Sequence, residues 1–200
     1  MLSRIAISIT DYLIRIEQLT PDDRDLYIYG FFLLVSHTFY LLVTLFAGML
    51  FDIVLESVVF YSVFMVIRKY AGGIHAKKEI ICTLLTTISI FVSIGFMRHM
   101  YNSNYITIPL MMLLFGCMCI LCFSPLDSEE KPLNSKEIAV YRKASIRYLI
   151  LFFFAFLMAF RYSCHGIVYA IACGIFLEGI LLLTGSVNAR PPHQNAQPLK

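Results

Sequence analysis

Charge is scarce in this chain of 200 residues: 14% of them are Asp, Glu, Lys or Arg. Ordinary soluble domains carry ~25%. Tryptophan is absent altogether, while 59% of residues are hydrophobic and the mean hydropathy is +0.76. That balance excludes a soluble domain and predicts a multi-span membrane protein. The chain also lacks a Walker loop, an HExxH pair and a GxSxG turn. Nucleotide, zincin and serine-hydrolase chemistry therefore have no motif to stand on. Nor do residues 1–25 offer a long apolar core followed by a small-residue cleavage site, so no cleavable signal is expected there.

Cysteine is present, 6 in number, but not as a disulfide framework. Cys117, Cys119, Cys122 and Cys173 lie in apolar runs, and no small secreted domain is present for them to staple. Cys117-x-Cys119-x-x-Cys122 invites a zinc reading, yet on a helix Cys119 points away from the other two and no histidine is near in sequence. No metal and no cofactor are expected.

What the chain does have is apolar length. Six runs, about Tyr29–Leu50, Ile53–Ile67, Ile80–Met97, Tyr105–Phe123, Tyr148–Phe160 and Gly166–Leu183, approach the ~17–25 residues that a bilayer span needs. The second and fifth are short and must borrow flanking residues. The turn at Phe51-Asp52 is tight. The predicted fold is all-α: a polytopic helix bundle of about six spans, preceded by an amphipathic helix over 1–25. There Leu2, Ile5, Ile9, Leu13 and Ile16 recur at helical spacing against Arg4, Asp11 and Arg15. Such a helix lies in the membrane interface or caps the bundle.

Basic residues predict the orientation. With the N-terminus in the cytoplasm, only Arg98 and Arg161 of the 16 lysines and arginines fall on the outer side. This strong positive-inside bias keeps both termini inside, along with the polar loops 68–79 and 124–147. The second loop holds Pro125 and Pro132, which forbid a continuous helix through its first half. Asn134 or Ser135 is placed to cap a short helix feeding the fifth span. Residues 26–185 form the membrane domain, and 186–200, with three prolines, are expected to be disordered.

The chemistry-bearing stretch is Arg68 to Cys82, R-K-Y-A-G-G-I-H-A-K-K-E-I-I-C. Cys82 follows His75 by seven residues, about 700° of helical rotation, so both share a face roughly 10 Å apart along the axis. Glu79 falls between them. A base, a thiol and a carboxylate are the parts of a cysteine nucleophile. Ten ångströms is too far for a direct bond, so the backbone must bend, and Gly72-Gly73 offers the break. A free thiol of pKa ~8.5 is a few per cent thiolate at neutral pH, which is why a neighbouring base and the positive charge of Lys77 and Lys78 matter. The bland alternatives are a small hydrophobe at Cys82, an interfacial histidine at His75 and a surface charge at Glu79. Arg68 either receives a substrate carboxylate or oxyanion, or snorkels at the end of its span. Glu178, inside the last run, is costly in lipid and invites a functional reading by default.

These residues resemble the AgrB (accessory gene regulator B) family of Gram-positive bacteria. The likeness rests on Arg68, the glycines before His75, His75-Ala76, Cys82, and the loop Ser124-Pro125-Leu126-Asp127 with Lys131-Pro132-Leu133. The order of spans and loops extends it over most of the chain. The resemblance implies an integral-membrane cysteine endopeptidase with Cys82 as nucleophile and His75 as general base. Its partner would be an AgrD-type propeptide, cleaved on the C-terminal side of the future signal through a thioester on Cys82. Cyclisation to a thiolactone or lactone would follow, in quorum sensing. A homodimer in the lipid bilayer is also implied, and no nucleic acid. The alternative is a membrane peptide transporter or exporter using Glu178, without proteolytic activity.

Overall fold

The computed structural model describes residues 2–16, 20–72, 79–101, 107–126 and 135–188. Those residues form an all-α membrane helix bundle: α1 (Leu2–Arg15), α2 (Arg24–Leu50), α3 (Val54–Ala71), α4 (Glu79–Tyr101), α5 (Thr107–Phe123), α6 (Ser135–Arg161) and α7 (His165–Asn188). A short 3₁₀ turn at Pro21–Asp23 joins the first two. Each of the six apolar runs is realised as one helix, α2 to α7. By length and composition, α2, α4, α6 and α7 are long and apolar enough to cross a membrane. α3 carries Glu56, Arg68 and Lys69 within 18 residues, and α5 is an apolar helix of 17.

The chain divides into two compact units. The first comprises residues 1–61 and 76–104, the second 62–75 and 105–200, so α3 contributes to both.

In the first unit α1 packs on α2 through Leu2, Ala6 and Thr10, a stripe at four-residue spacing that is wholly or almost wholly buried. The Thr10 hydroxyl donates back to the Ala6 carbonyl at 2.9 Å. Arg24 reaches Asp11 at 2.9 Å, but both side chains are 44% exposed. A pair so open to solvent orients α1 more than it stabilises it. Ile5, Tyr12 and Ile16 face outward, so α1 carries a second apolar face besides the one on α2. α2 inverts the pattern of a soluble helix. Its buried positions are Ser36, Thr44, Ala47 and Gly48, while Leu34, Leu42, Phe46 and Met49 are exposed. Small residues inward and large apolar ones outward suit a helix whose solvent is lipid, because close backbone approach replaces the hydrophobic effect as the packing force.

The α2–α3 corner is a Schellman turn. The Ile53 amide donates to the Gly48 carbonyl at 2.9 Å, and Asp52 sits in the left-handed region at φ +55°. The α6–α7 corner repeats the device in the second unit. There the Cys164 amide donates to Ala159 at 2.9 Å, and Ser163 has φ +57°.

The core helix of the second unit is α7. Two-thirds of its membrane-length window (67%) is buried, against 22% for α6. Its partners are α5 and α6. At the α5 crossing, a Cβ on Gly116 would stand 2.6 Å from the Ile175 carbonyl oxygen. A Cβ on Gly179 would stand 2.8 Å from the Gly116 Cα. Two glycines thus set the interhelical distance, and neither position admits a side chain without separating the helices.

Several boundaries differ from those expected: α1 ends at Arg15 and α2 begins at Arg24, within the 1–25 range given to the N-terminal helix. α6 begins at Ser135, so the second half of the 124–147 loop is helix and is continuous with the fifth span. The expected short feeder helix merges with that span because Lys136 to Arg147 is built of helix formers with no glycine or proline between. α7 runs to Asn188, past the boundary drawn at 186. The rest of the tail lies outside the described residues.

Candidate functional site

Residues 73–78 lie outside the described residues, and with them Gly73, His75, Lys77 and Lys78. Glu79 is described as the first residue of α4 but its side chain is not. Cys82 stands one turn into α4, in the first unit, as a free thiol with intermediate exposure. The neighbouring Ile80 and Leu85 are exposed apolar residues. All six cysteines are free thiols. Cys119 and Cys173 are buried, Cys122 and Cys164 exposed. Among the described residues no cluster of His, Cys, Asp and Glu is arranged to hold a metal ion.

In the second unit, several motif residues meet at the C-terminal end of α3. The helix ends at Ala71 and the chain turns at Gly72, whose φ of +80° suits a residue without Cβ. There the loop after α5 comes in backbone to backbone. The Leu126 amide donates to the Ala71 carbonyl at 2.9 Å, forming a parallel bridge between Gly72 and Leu126. A Cβ on Gly72 would stand 2.5 Å from the Leu126 carbonyl oxygen. The glycine expected to allow a bend therefore has a second reason to be glycine: Leu126 occupies the space of its missing side chain. Ser124, buried, donates to the hydroxyl of Ser145 on α6 at 3.1 Å, tying the same loop to a second helix. Tyr70 stacks on Tyr148 of α6 with ring centroids 5.1 Å apart and planes at 17°, and Tyr141 flanks it at 6.3 Å. Such aromatic pairs add about 0.5–1.5 kcal/mol beyond their burial.

Arg68 lies one turn before Gly72. It does not run out along the helix end to solvent. Its Nη1 lies 3.6 Å from Oε2 of Glu178 on α7, with side-chain exposures of 18% and 0%. The guanidinium also sits over the Phe64 ring, 5.5 Å from its centroid. Glu178 is wholly enclosed, and among the described residues neither of its oxygens has a hydrogen-bond partner. Removing one member of such a buried pair costs about 3–5 kcal/mol, because the other is left as an uncompensated charge.

Within the second unit the structure thus joins Gly72 to the Ser124-Pro125-Leu126 loop and, one turn earlier on α3, pairs Arg68 with Glu178. The sequence singled out each of these. It missed their pairing, and it missed Tyr70, Tyr148 and Ser145. The only signal for the ion pair was an acid within one apolar run and a base at the end of another.

No solved structure matches the chain. The family described as Accessory gene regulator B matches residues 6–182. An AgrB-like protein 2 of Clostridium perfringens is 29% identical over 133 residues, which cover 63% of this chain and 62% of that protein's length. The accessory gene regulator protein B of Staphylococcus intermedius is 23% identical over 155 residues, 77% of this chain and 79% of its own. Protein FsrB of Enterococcus faecalis is 27% identical over 157 residues, 76% of this chain and 62% of its own. With Arg68 to Cys82 and the Ser124-Pro125-Leu126 loop all inside the matched range, the chain belongs to the accessory gene regulator B family.

Proposed function

We propose that this protein is a membrane cysteine endopeptidase that processes a short AgrD-type quorum-sensing propeptide and promotes its cyclisation. The observation that carries this reading is family membership across residues 6–182, a range that holds His75 and Cys82 in motif order. The partial exposure of the Cys82 thiol supports it, since a nucleophile must be reachable.

In this reading His75 takes the proton of the Cys82 thiol and the thiolate attacks the scissile carbonyl. A carbon–sulfur bond forms, the carbon–nitrogen bond breaks, and the leaving amine departs with the proton from His75. The signal half of the precursor is left as a thioester on Cys82. An internal cysteine or serine of the precursor, losing its proton to the base, then attacks that thioester. Its sulfur or oxygen bonds to the carbonyl carbon, the Cys82 thiol is released, and the product is a thiolactone or lactone. Glu79 is placed in sequence to orient His75, as a third group does in other nucleophile–base systems. Gly72 and Gly73 permit the turn before His75. Both termini and the site face the cytoplasm, where thiols stay reduced, and the functional unit is a homodimer in the bilayer.

The test is co-expression of an AgrD-type precursor with the wild-type protein or with Cys82→Ala, reading cleaved and cyclic products by mass spectrometry. Cys82→Ala is expected to insert normally and yield neither. Undiminished product from that variant would sink the peptidase reading.

A further inference from the structure

Beyond the stripe that α1 buries on α2, the circumference of this helix falls into three strips. At about 100° per residue, Ile5, Tyr12 and Ile16 cluster within about 40° on one flank, and Ile7 and Ile14 within about 20° on the other. Ile16 extends the helix by one residue, its amide bonded to the Tyr12 carbonyl at 3.2 Å. Opposite the buried stripe, Arg4, Ser8 and Arg15 share a crest about 40° wide. The crest is exposed, and so are Ile5, Ile7, Tyr12 and Ile16. An open groove of about 420 Å³ runs between the first flank and the crest, lined by Arg4, Ile5, Ser8, Ile9, Tyr12 and Leu13.

Water and hydrocarbon each suit only part of this pattern. In water both apolar flanks would stay exposed, and in the bilayer core two arginines would have to be buried. At the boundary the flanks reach the acyl chains while the crest meets the headgroups. A second observation places α1 at that depth. Arg24, the first residue of α2, binds Asp11 at 2.9 Å with both side chains 44% exposed, so the middle of α1 lies level with the polar first turn of α2. Tyr12 and Tyr29, both exposed, are rings with a polar tip, the kind enriched at membrane interfaces. Charge then selects the lipid. Asp11 is the sole acid within Leu2–Arg15 and is engaged by Arg24, so Arg4 and Arg15 leave the crest positive.

We propose that α1 is a contact for anionic phospholipid. Its flanks seat among the acyl chains, and Arg4 and Arg15 take the negatively charged headgroups of the leaflet in which α2 begins. This goes beyond the peptidase reading and does not depend on it.

The chain has no tryptophan, so one introduced indole reports its own surroundings in the full-length protein. Tyr12→Trp places it on the flank and Ser8→Trp on the crest. Each variant is put into nanodiscs of phosphatidylcholine, alone or mixed with phosphatidylglycerol, and quenched with acyl-brominated lipid or with aqueous acrylamide. Bromolipid is expected to quench Tyr12→Trp strongly, and acrylamide to dominate for Ser8→Trp. Hydrogen exchange over residues 2–15 of the wild-type chain, which needs no variant, is expected to slow by about fivefold for each arginine when phosphatidylglycerol is present. The double variant Arg4→Gln, Arg15→Gln should lose that slowing.

Quenching of Tyr12→Trp by acrylamide alone would put the flank in water and overturn the proposal. Equal bromolipid quenching at both positions would overturn it by immersing the whole helix. Shielding of Tyr12→Trp from both quenchers would mean that protein covers the groove. A second copy is then the occupant if the shielding needs two chains in one disc, and the precursor peptide if it needs added precursor. Equal exchange in both lipid compositions would remove the preference for anionic lipid and with it the proposal.

Discussion

Leu126 lies backbone against backbone with Gly72, its amide bonded to the Ala71 carbonyl at 2.9 Å and its own carbonyl oxygen where a Gly72 side chain would be. Two segments far apart in the chain, the turn leading to His75 and the loop after α5, are thereby joined. Gly72→Ala is expected to break that joint. The new Cβ would need a shift of the Leu126 backbone, and φ +80° is itself strained for alanine. A cost of ~1–3 kcal/mol follows from strain of this kind. It should be read as a lower melting temperature in nanodiscs together with reduced precursor processing. A variant as stable and active as the wild type would mean that the loop docks without needing the glycine.

The α5–α7 crossing gives a prediction with a control inside the same chain. Gly179→Ala and Gly116→Ala each push a methyl group into opposing backbone, 2.8 Å and 2.6 Å away at closest approach. Overpacking of this kind costs about 1–3 kcal/mol. Gly30, in α2, has nothing within 4 Å of its missing Cβ. Gly30→Ala is expected to be neutral or to stabilise by about 0.5–1 kcal/mol through helix propensity. Equal effects from all three substitutions would show that propensity, not the crossing, decides.

Asp52 and Ser163 hold the left-handed position of their Schellman turns with side chains that pay a steric penalty there. Asp52→Gly and Ser163→Gly are each expected to raise stability by up to ~1 kcal/mol and to leave processing unchanged, since neither residue belongs to the proposed machinery. Thermal unfolding in matched nanodiscs is the check. A fall in melting temperature would show that the aspartate or serine side chain contributes more than its backbone strain costs.

The sequence made the helices legible and the contacts between them not. Apolar runs marked α2 to α7 because a span must be long and uncharged. The tight corner at Phe51-Asp52 could be anticipated because so few residues separate two runs. The start of α6 was legible, with Asn134 or Ser135 placed to cap a helix there, but its unbroken run into the fifth span was not, because its first half is charged. Charge forbids a buried position but not a helix, and Lys136 to Arg147 are mostly good helix formers. Gly72 was readable as a bend, yet the presence of Leu126 in its empty side-chain space depends on a loop brought up by α5. Glu178 was readable as a costly acid, but nothing local names its partner. That requires knowing that α3 and α7 meet. Close crossings of membrane helices rest on single glycines such as Gly116 and Gly179, which have no periodic signal.

The proposed roles of His75 and Cys82 make a prediction that the other thiols calibrate. Cys164 is exposed in the α6–α7 corner, whereas Cys82 has only intermediate exposure. If access alone governed reactivity, a water-soluble alkylating agent at neutral pH would label Cys164 first. If His75 assists the Cys82 thiol, Cys82 reacts faster in spite of its lower exposure, because the thiolate is the nucleophile and a neighbouring base raises its share. Site-resolved mass spectrometry of the wild-type chain in nanodiscs gives both rates in one sample. His75→Ala should slow labelling at Cys82 while leaving Cys164 unchanged. Equal slowing at both sites would point to a general change in the protein, not to the pair. No slowing at Cys82, measured again with an AgrD-type precursor bound, would remove His75 from the role of base and leave Cys82 to be activated by some other group.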